Sequence, residues 1–170
     1  MLFTEAARAQ GIFTAWFVDK DGNLCWVEEF ENTVVTAGKN LALDSYLAGS
    51  AYTVVGPYLG LISSVGYSAI AAGDTMASHP GWTEFTGYSG SRATAAWSAA
   101  AAGAKAFSSP AAFSINAAGT VKGGFLVFGP GALATPGNTG GTLYSAGLFT
   151  GGDQPVTSGG TLSVSYTASL

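Results

Sequence analysis

Residues 119–170 leave this chain little choice of fold. Thr120-Val121-Lys122-Gly123-Gly124-Phe125-Leu126-Val127-Phe128 is followed by a Gly/Pro-rich break at 129–141. Then come Thr142-Leu143-Tyr144-Ser145-Ala146-Gly147-Leu148-Phe149, a second break at 150–160, and Thr161-Leu162-Ser163-Val164-Ser165-Tyr166-Thr167. Each run is short, rich in β-branched and aromatic residues, and bounded by turn formers, which is the sequence form of strand, turn, strand. The last run alternates, with Leu162, Val164 and Tyr166 on one side and Ser163, Ser165 and Thr167 on the other. A period of two predicts a strand with the first set in a core and the second on the opposite face of a sheet.

The rest of the chain reads in the same way. Residues 12–18 and 24–30 are two apolar runs joined by Asp19-Lys20-Asp21-Gly22-Asn23, which predicts an N-terminal hairpin over 11–31. Glu28, Glu29 and Glu31 crowd the end of its return strand, so that end is expected to meet solvent. Residues 36–48 form the one helix candidate: Thr36 can cap it, Leu43, Tyr46 and Leu47 make an apolar stripe, and Gly49 can stop it. Gly38 weakens its first turn by up to about 1 kcal/mol relative to Ala. Further short strands are expected at 57–62, 92–98, 106–109 and 112–115. Residues 65–90 read as a long loop with one helical turn starting near Asp74. The expected architecture is all-β, one domain over residues 1–170: a β-sandwich or jelly roll with one short α-helix.

Charge narrows the function. Only 9% of residues are Asp, Glu, Lys or Arg, and from Ala93 onward the only ones are Lys105, Lys122 and Asp153. An isolated domain carries roughly 25% charged residues. Either neighbouring molecules occupy much of the surface, or Ser, Thr and Gly supply the solvated face; composition alone leaves both open. The net charge is −4 and the six basic residues are scattered, which argues against nucleic-acid binding. No apolar run approaches the roughly 20 residues of a membrane span. Met1-Leu2-Phe3-Thr4-Glu5-Ala6-Ala7-Arg8 lacks the form of a signal peptide. The lone Cys25 has no internal disulfide partner, which suits folding in a reducing cytoplasm.

Residues with chemical potential each have a plainer reading. The Asp19 turn begins like a calcium loop, but Leu24 and Phe30 stand where that loop needs Gly and Glu. His79, the only histidine, has Ser78 and Asp74 near it in sequence but no nucleophile elbow. Glu29 and Glu31 share a strand face, yet no cleft can be assigned around them. Gly56-Pro57-Tyr58-Leu59-Gly60 lacks the Lys-Ser/Thr of a phosphate loop. Trp16, Trp26, Trp82 and Trp97 are spread along the chain, which favours core and interface roles over a sugar platform. No catalytic, metal or cofactor site is expected. Within the 65–90 loop, Met76, Trp82 and Phe85 are more apolar material than an idle loop needs, and they are the expected partner-contact residues.

Four stretches together resemble a family of small tailed-bacteriophage virion proteins. They are Val34-Val35-Thr36-Ala37-Gly38-Lys39-Asn40, Tyr58-Leu59-Gly60-Leu61-Ile62, Ala71-Ala72-Gly73-Asp74-Thr75-Met76-Ala77-Ser78-His79-Pro80-Gly81-Trp82-Thr83-Glu84, and Gly141-Thr142-Leu143-Tyr144-Ser145-Ala146-Gly147-Leu148-Phe149. The likeness runs from about Asn32 to Leu170 and includes no catalytic motif. It implies a capsid cement or decoration protein, made in the host cytoplasm, on the outer capsid surface of the virion. Its implied partners are the major capsid protein and further copies of itself, as a homodimer or homotrimer. The alternative is a tail or fibre protein with a receptor- or glycan-binding surface.

Overall fold

The computed structural model describes residues 9–47 and 55–169. Among these are eleven strands and one helix: β1 (Gln10–Val18), β2 (Leu24–Val34), α1 (Thr36–Leu47), β3 (Tyr58–Ser63), β4 (Glu84–Phe85), β5 (Ala93–Thr94), β6 (Ala104–Ala106), β7 (Ala111–Ser114), β8 (Gly119–Phe128), β9 (Thr142–Leu148), β10 (Gln154–Val156) and β11 (Thr161–Ser169). All strand pairs are antiparallel. The order is β4-β3-β8-β9-β2-β1-β11-β6, with β5 on β3, β10 on β8 and β7 on β11.

β2 divides this order into two sheets. Its first part pairs with β1, from Val18↔Leu24 to Ile12↔Glu31. Its last three residues, Asn32, Thr33 and Val34, pair with β9 instead. The first sheet is therefore β2-β1-β11 with β6 and β7, and the second is β2-β9-β8-β3 with the short β4, β5 and β10. The hairpin and the alternation of the last strand are as the sequence reads. Phe13, Ala15 and Phe17 of β1 and Leu162, Val164 and Tyr166 of β11 point inward. They meet Leu59, Leu61, Val121 and Leu126 from the second sheet in one apolar core. This is an all-β sandwich with one short helix.

A third layer lies on the other face of the second sheet. Strands β3 and β8 are buried on both faces. Ile62, Phe125, Val127, Leu143 and Ala146 turn away from the sandwich core and pack beneath Val35, Met76, Trp82 and Ala132. The layer is made of chain without regular structure, residues 64–83 and 129–141. It holds its shape through backbone bonds such as Ser68 N to Gly81 O at 2.8 Å and Arg92 N to Ala134 O at 2.7 Å.

The helix spans Thr36–Leu47, and its expected end at Gly49 lies outside the described residues. Thr36 is the first helical residue rather than the cap; Val35 accepts the first helical bond, from Lys39 N at 3.0 Å. The expected stripe is not a core face, because Leu43 is 55% exposed; the side chains of Tyr46 and Leu47 lie outside the described residues. What seats the helix is Gly38. It is buried, and a Cβ built there would stand 2.2 Å from the Tyr144 carbonyl oxygen. The glycine that weakens the helix is where the helix backbone meets the sheet. The helical turn expected near Asp74 is instead a tight turn, with Thr75 and Ser78 exchanging backbone bonds at 2.9 and 3.2 Å.

Candidate functional site

The three side chains expected to meet a partner are spent inside the chain. Met76 is 2%, Trp82 1% and Phe85 8% exposed. Met76 and Trp82 sit in the outer-layer cluster and Phe85 in the sandwich core. The apolar content of the 65–90 loop has a physical cause that a strand-and-loop reading misses: the loop covers the second face of a sheet. Trp82 packs against Phe125, with ring centroids 5.1 Å apart. Its Nε1–H donates to Asp74 Oδ2 at 2.9 Å, and that same oxygen accepts from Ala71 N at 2.9 Å. His79 stacks on Trp82 at 3.9 Å, and its Nδ1–H donates to the Trp82 carbonyl at 2.9 Å. So Asp74, His79 and Trp82 do come together, as a lock on the loop.

A buried ion pair fastens the rest of this layer. Arg92 and Glu84 side chains are 0% and 5% exposed. Arg92 Nε and Nη2 donate to the two Glu84 oxygens at 3.0 and 2.8 Å. Nη1 also donates to Leu133 O at 3.1 Å, and Nη2 to Asn138 O at 2.7 Å. Glu84 also accepts from Tyr88 Oη at 3.1 Å and Gly137 N at 2.6 Å. Arg92 lies 5.3 Å from the centre of the Phe125 ring. Burial, and next the Glu84 charge, push the Tyr88 phenol well above its ordinary pKa.

Glu28 does not meet solvent as expected. Its strand position turns it away from Glu29 and Glu31, and it is buried. Gln154 Nε2 donates to it, as do Gly151 N at 3.0 Å and Thr150 Oγ1 at 3.3 Å. Asp19 uses its carboxylate on its own turn, accepting from the backbone N–H of Asp21 and Asn23, each at 2.9 Å. The Asn23 amide in particular lowers its pKa. Among the described residues no group of three or more His, Cys, Asp or Glu is placed to hold a metal ion. Cys25 is exposed and unpaired with another cysteine.

Among the described residues, the outer face of the first sheet is accessible to solvent. β1 presents Ile12, Thr14, Trp16 and Val18 there, flanked by β2 and β11. Cross-strand register sets out four rows: Glu31-Ile12-Thr167, Glu29-Thr14-Ser165, Val27-Trp16-Ser163-Ala112 and Leu24-Val18-Thr161-Ser114. Val27 is 57% exposed, and Trp16 is half-buried. In these rows the only charges are Glu29 and Glu31, side by side at one corner. The rest is aliphatic, aromatic or hydroxyl. The alternation of residues 161–167 gave this face in part, since Ser163, Ser165 and Thr167 were already assigned to it. Its remaining members follow from a pairing of β1 with β11 that no local pattern reveals.

No protein-family model, curated protein or solved structure matches this chain.

Proposed function

We propose that the chain is a structural virion protein, a capsid cement or decoration protein that stabilises a shell by bridging major capsid protein subunits. The reading rests on the resemblance carried by residues 32–170. The observation that supports it best is the open face of the first sheet. Among the described residues that face carries only Glu29 and Glu31 as charges in its four rows, and the second sheet is already covered by the chain's own loops. Apolar and hydroxyl surface of this kind suits a protein neighbour of matching shape better than it suits water alone.

The second reading, a tail or fibre protein with a glycan- or receptor-binding surface, is favoured by Trp16. An indole bordered by Thr14, Ser163 and Ser165 on an open sheet is the kind of platform on which a sugar ring stacks. Quantitative mass spectrometry of purified virions from the phage that encodes the chain separates the two. Hundreds of copies per virion, in step with shell symmetry, is the expected result. A few copies selects the tail reading, and absence from virions refutes both.

A further inference from the structure

The chain treats the two edges of its first sheet differently. On its side away from β1, among the described residues, β2 has a strand neighbour only at Asn32, Thr33 and Val34. The earlier part of that side is guarded. Thr150 Oγ1 donates to the Glu29 carbonyl at 2.6 Å, and Trp26 Nε1 donates to the Pro155 carbonyl at 2.8 Å. Gly151 and Gln154 hold Glu28, and Glu29 and Glu31 add charge beside it. Covering chain and charge are the means by which natural sheets prevent stray pairing at an edge.

The opposite edge is guarded only in part: Ser89 N covers β7 by donating to Ser114 O at 2.8 Å, while among the described residues nothing covers the stretch beside β6. There β6 pairs with β11 at Ser169, Ala168 and Thr167, and the chain before β6 folds back along it as a hairpin arm. Ser98 N donates to Ala106 O at 2.9 Å, Ser108 N to Ala96 O at 2.8 Å, and Ala101 and Ala104 exchange two bonds at 2.9 Å. These bonds use the inward-facing groups of Ala96, Ser98 and Ala101. The register with the β6 side shifts by one residue between Ser98 and Ala101, so Ala99 and Ala100 lie at a bulge, and among the described residues neither has a backbone partner. Ala99, Ala100 and Ala101 are exposed. From Ala93 to Ala104 there is no charge and no proline.

We propose that this edge is a self-pairing contact. Ala99 of one copy pairs antiparallel with Ala99 of a second copy about a two-fold axis, the two exchanging N–H to C=O bonds, while Ala101 stays bonded to Ala104 within its own arm. Self-pairing sets a segment's charges against themselves. At β2 it would bring Glu28, Glu29 and Glu31 close to their own copies; at the arm it brings no like charges together, because Lys105 lies one strand further in. A pair of strands this short buries well under the roughly 1,600 Å² of a standard interface. Free copies therefore associate weakly, and copies held side by side on a surface associate strongly. The inference deepens the reading of a multicopy virion protein, but its test uses the free chain, so either can fail without the other.

The test is disulfide trapping. Ala99→Cys in a Cys25→Ser background is compared with Thr157→Cys in the same background, an exposed position in the β10–β11 turn. Under mild oxidation the Ala99→Cys chain is expected to form linked dimers about tenfold faster, the advantage of a pre-positioned pair. In sedimentation velocity the unaltered chain should show a concentration-dependent monomer–dimer equilibrium. Ala100→Lys, on the exposed arm, should abolish it with an unchanged Tm. Equal trapping at both positions, or a chain that stays monomeric at all concentrations, overturns the proposal. So does a 25–99 crosslink when Cys25 is retained, since that joins copies head to tail.

Discussion

The Arg92–Glu84 pair offers the sharpest test of the third layer. Arg92→Met keeps much of the aliphatic bulk but removes four hydrogen bonds, two of them to Glu84. The carboxylate left behind is 5% exposed and keeps only Tyr88 Oη and Gly137 N as donors. Breaking a buried pair by removing one partner costs about 3–5 kcal/mol, most of it the uncompensated charge. At roughly 2–4 °C per kcal/mol for a domain of this size, Tm should fall by about 6–20 °C. Guanidinium unfolding monitored by tryptophan fluorescence reads the same loss as a shift in midpoint with an unchanged slope. The charge argument has a second arm. In Arg92→Met/Glu84→Gln no ion remains, so the double variant should lose less than the sum of the two singles by at least about 1 kcal/mol. If Arg92→Met costs under 1 kcal/mol, or the two losses simply add, the carboxylate is solvated and the layer is not closed over it.

Gly38→Ala is favourable by helix propensity, by up to about 1 kcal/mol, yet the Tyr144 carbonyl occupies the space its methyl needs; thermal unfolding should show a loss instead. Trp82→Ala should cost about 3–5 kcal/mol in denaturant unfolding, because it also strips Asp74 of its indole partner. Burial raises the phenol pKa of Tyr88, and of Tyr166 too, where Tyr144 adds to it. Their contribution to stability is complete below the ordinary phenol value near 10 and is lost as pH rises above it. An ultraviolet titration should therefore show these two ionising only with alkaline unfolding. The proposed cement role predicts that the chain stays on capsids in 1 M NaCl, where the Debye length is about 3 Å, and leaves with guanidinium or heat; release that climbs steadily with salt, read by sedimentation, would assign attachment to its few charges.

The legible parts of the fold are those where one side of an element meets water and the other meets the core. The alternation of β11 and the β1–β2 hairpin are of this kind. The inward residues of β11 are those its alternation designates. In β1, Phe13 and Phe17 turn inward as their bulk suggests but are joined by Ala15, and Trp16, also read as buried, lies half-buried on the outer face. Legibility fails where chain is buried on both sides. Strands β3 and β8 carry apolar residues on both faces, and nothing local says that the second face needs a cover. Met76 and Trp82 therefore look like surplus apolar surface when they are that cover. Gly38 misleads for a related reason: propensity weighs it against Ala in an isolated helix, while here a neighbouring backbone excludes the methyl. Glu28 is the opposite case. Its strand parity already separated it from Glu29 and Glu31, but the donors that satisfy it come from residues 150–154, far along the chain.

The pairing of β1 with β11 has a consequence for how the chain is made. Strand β1 leaves the ribosome long before its neighbour on that side exists. At about 5–20 residues per second, the interval is on the order of ten seconds. Until then Phe13, Ala15 and Phe17 have only the β2 hairpin to shelter them, whereas β3, β8 and β9 are all in hand earlier and can pair among themselves. The second sheet is thus able to form during synthesis, and the first is finished only after it, by the arrival of the last strand. In a cell the nascent hairpin is the part that waits longest for its cover.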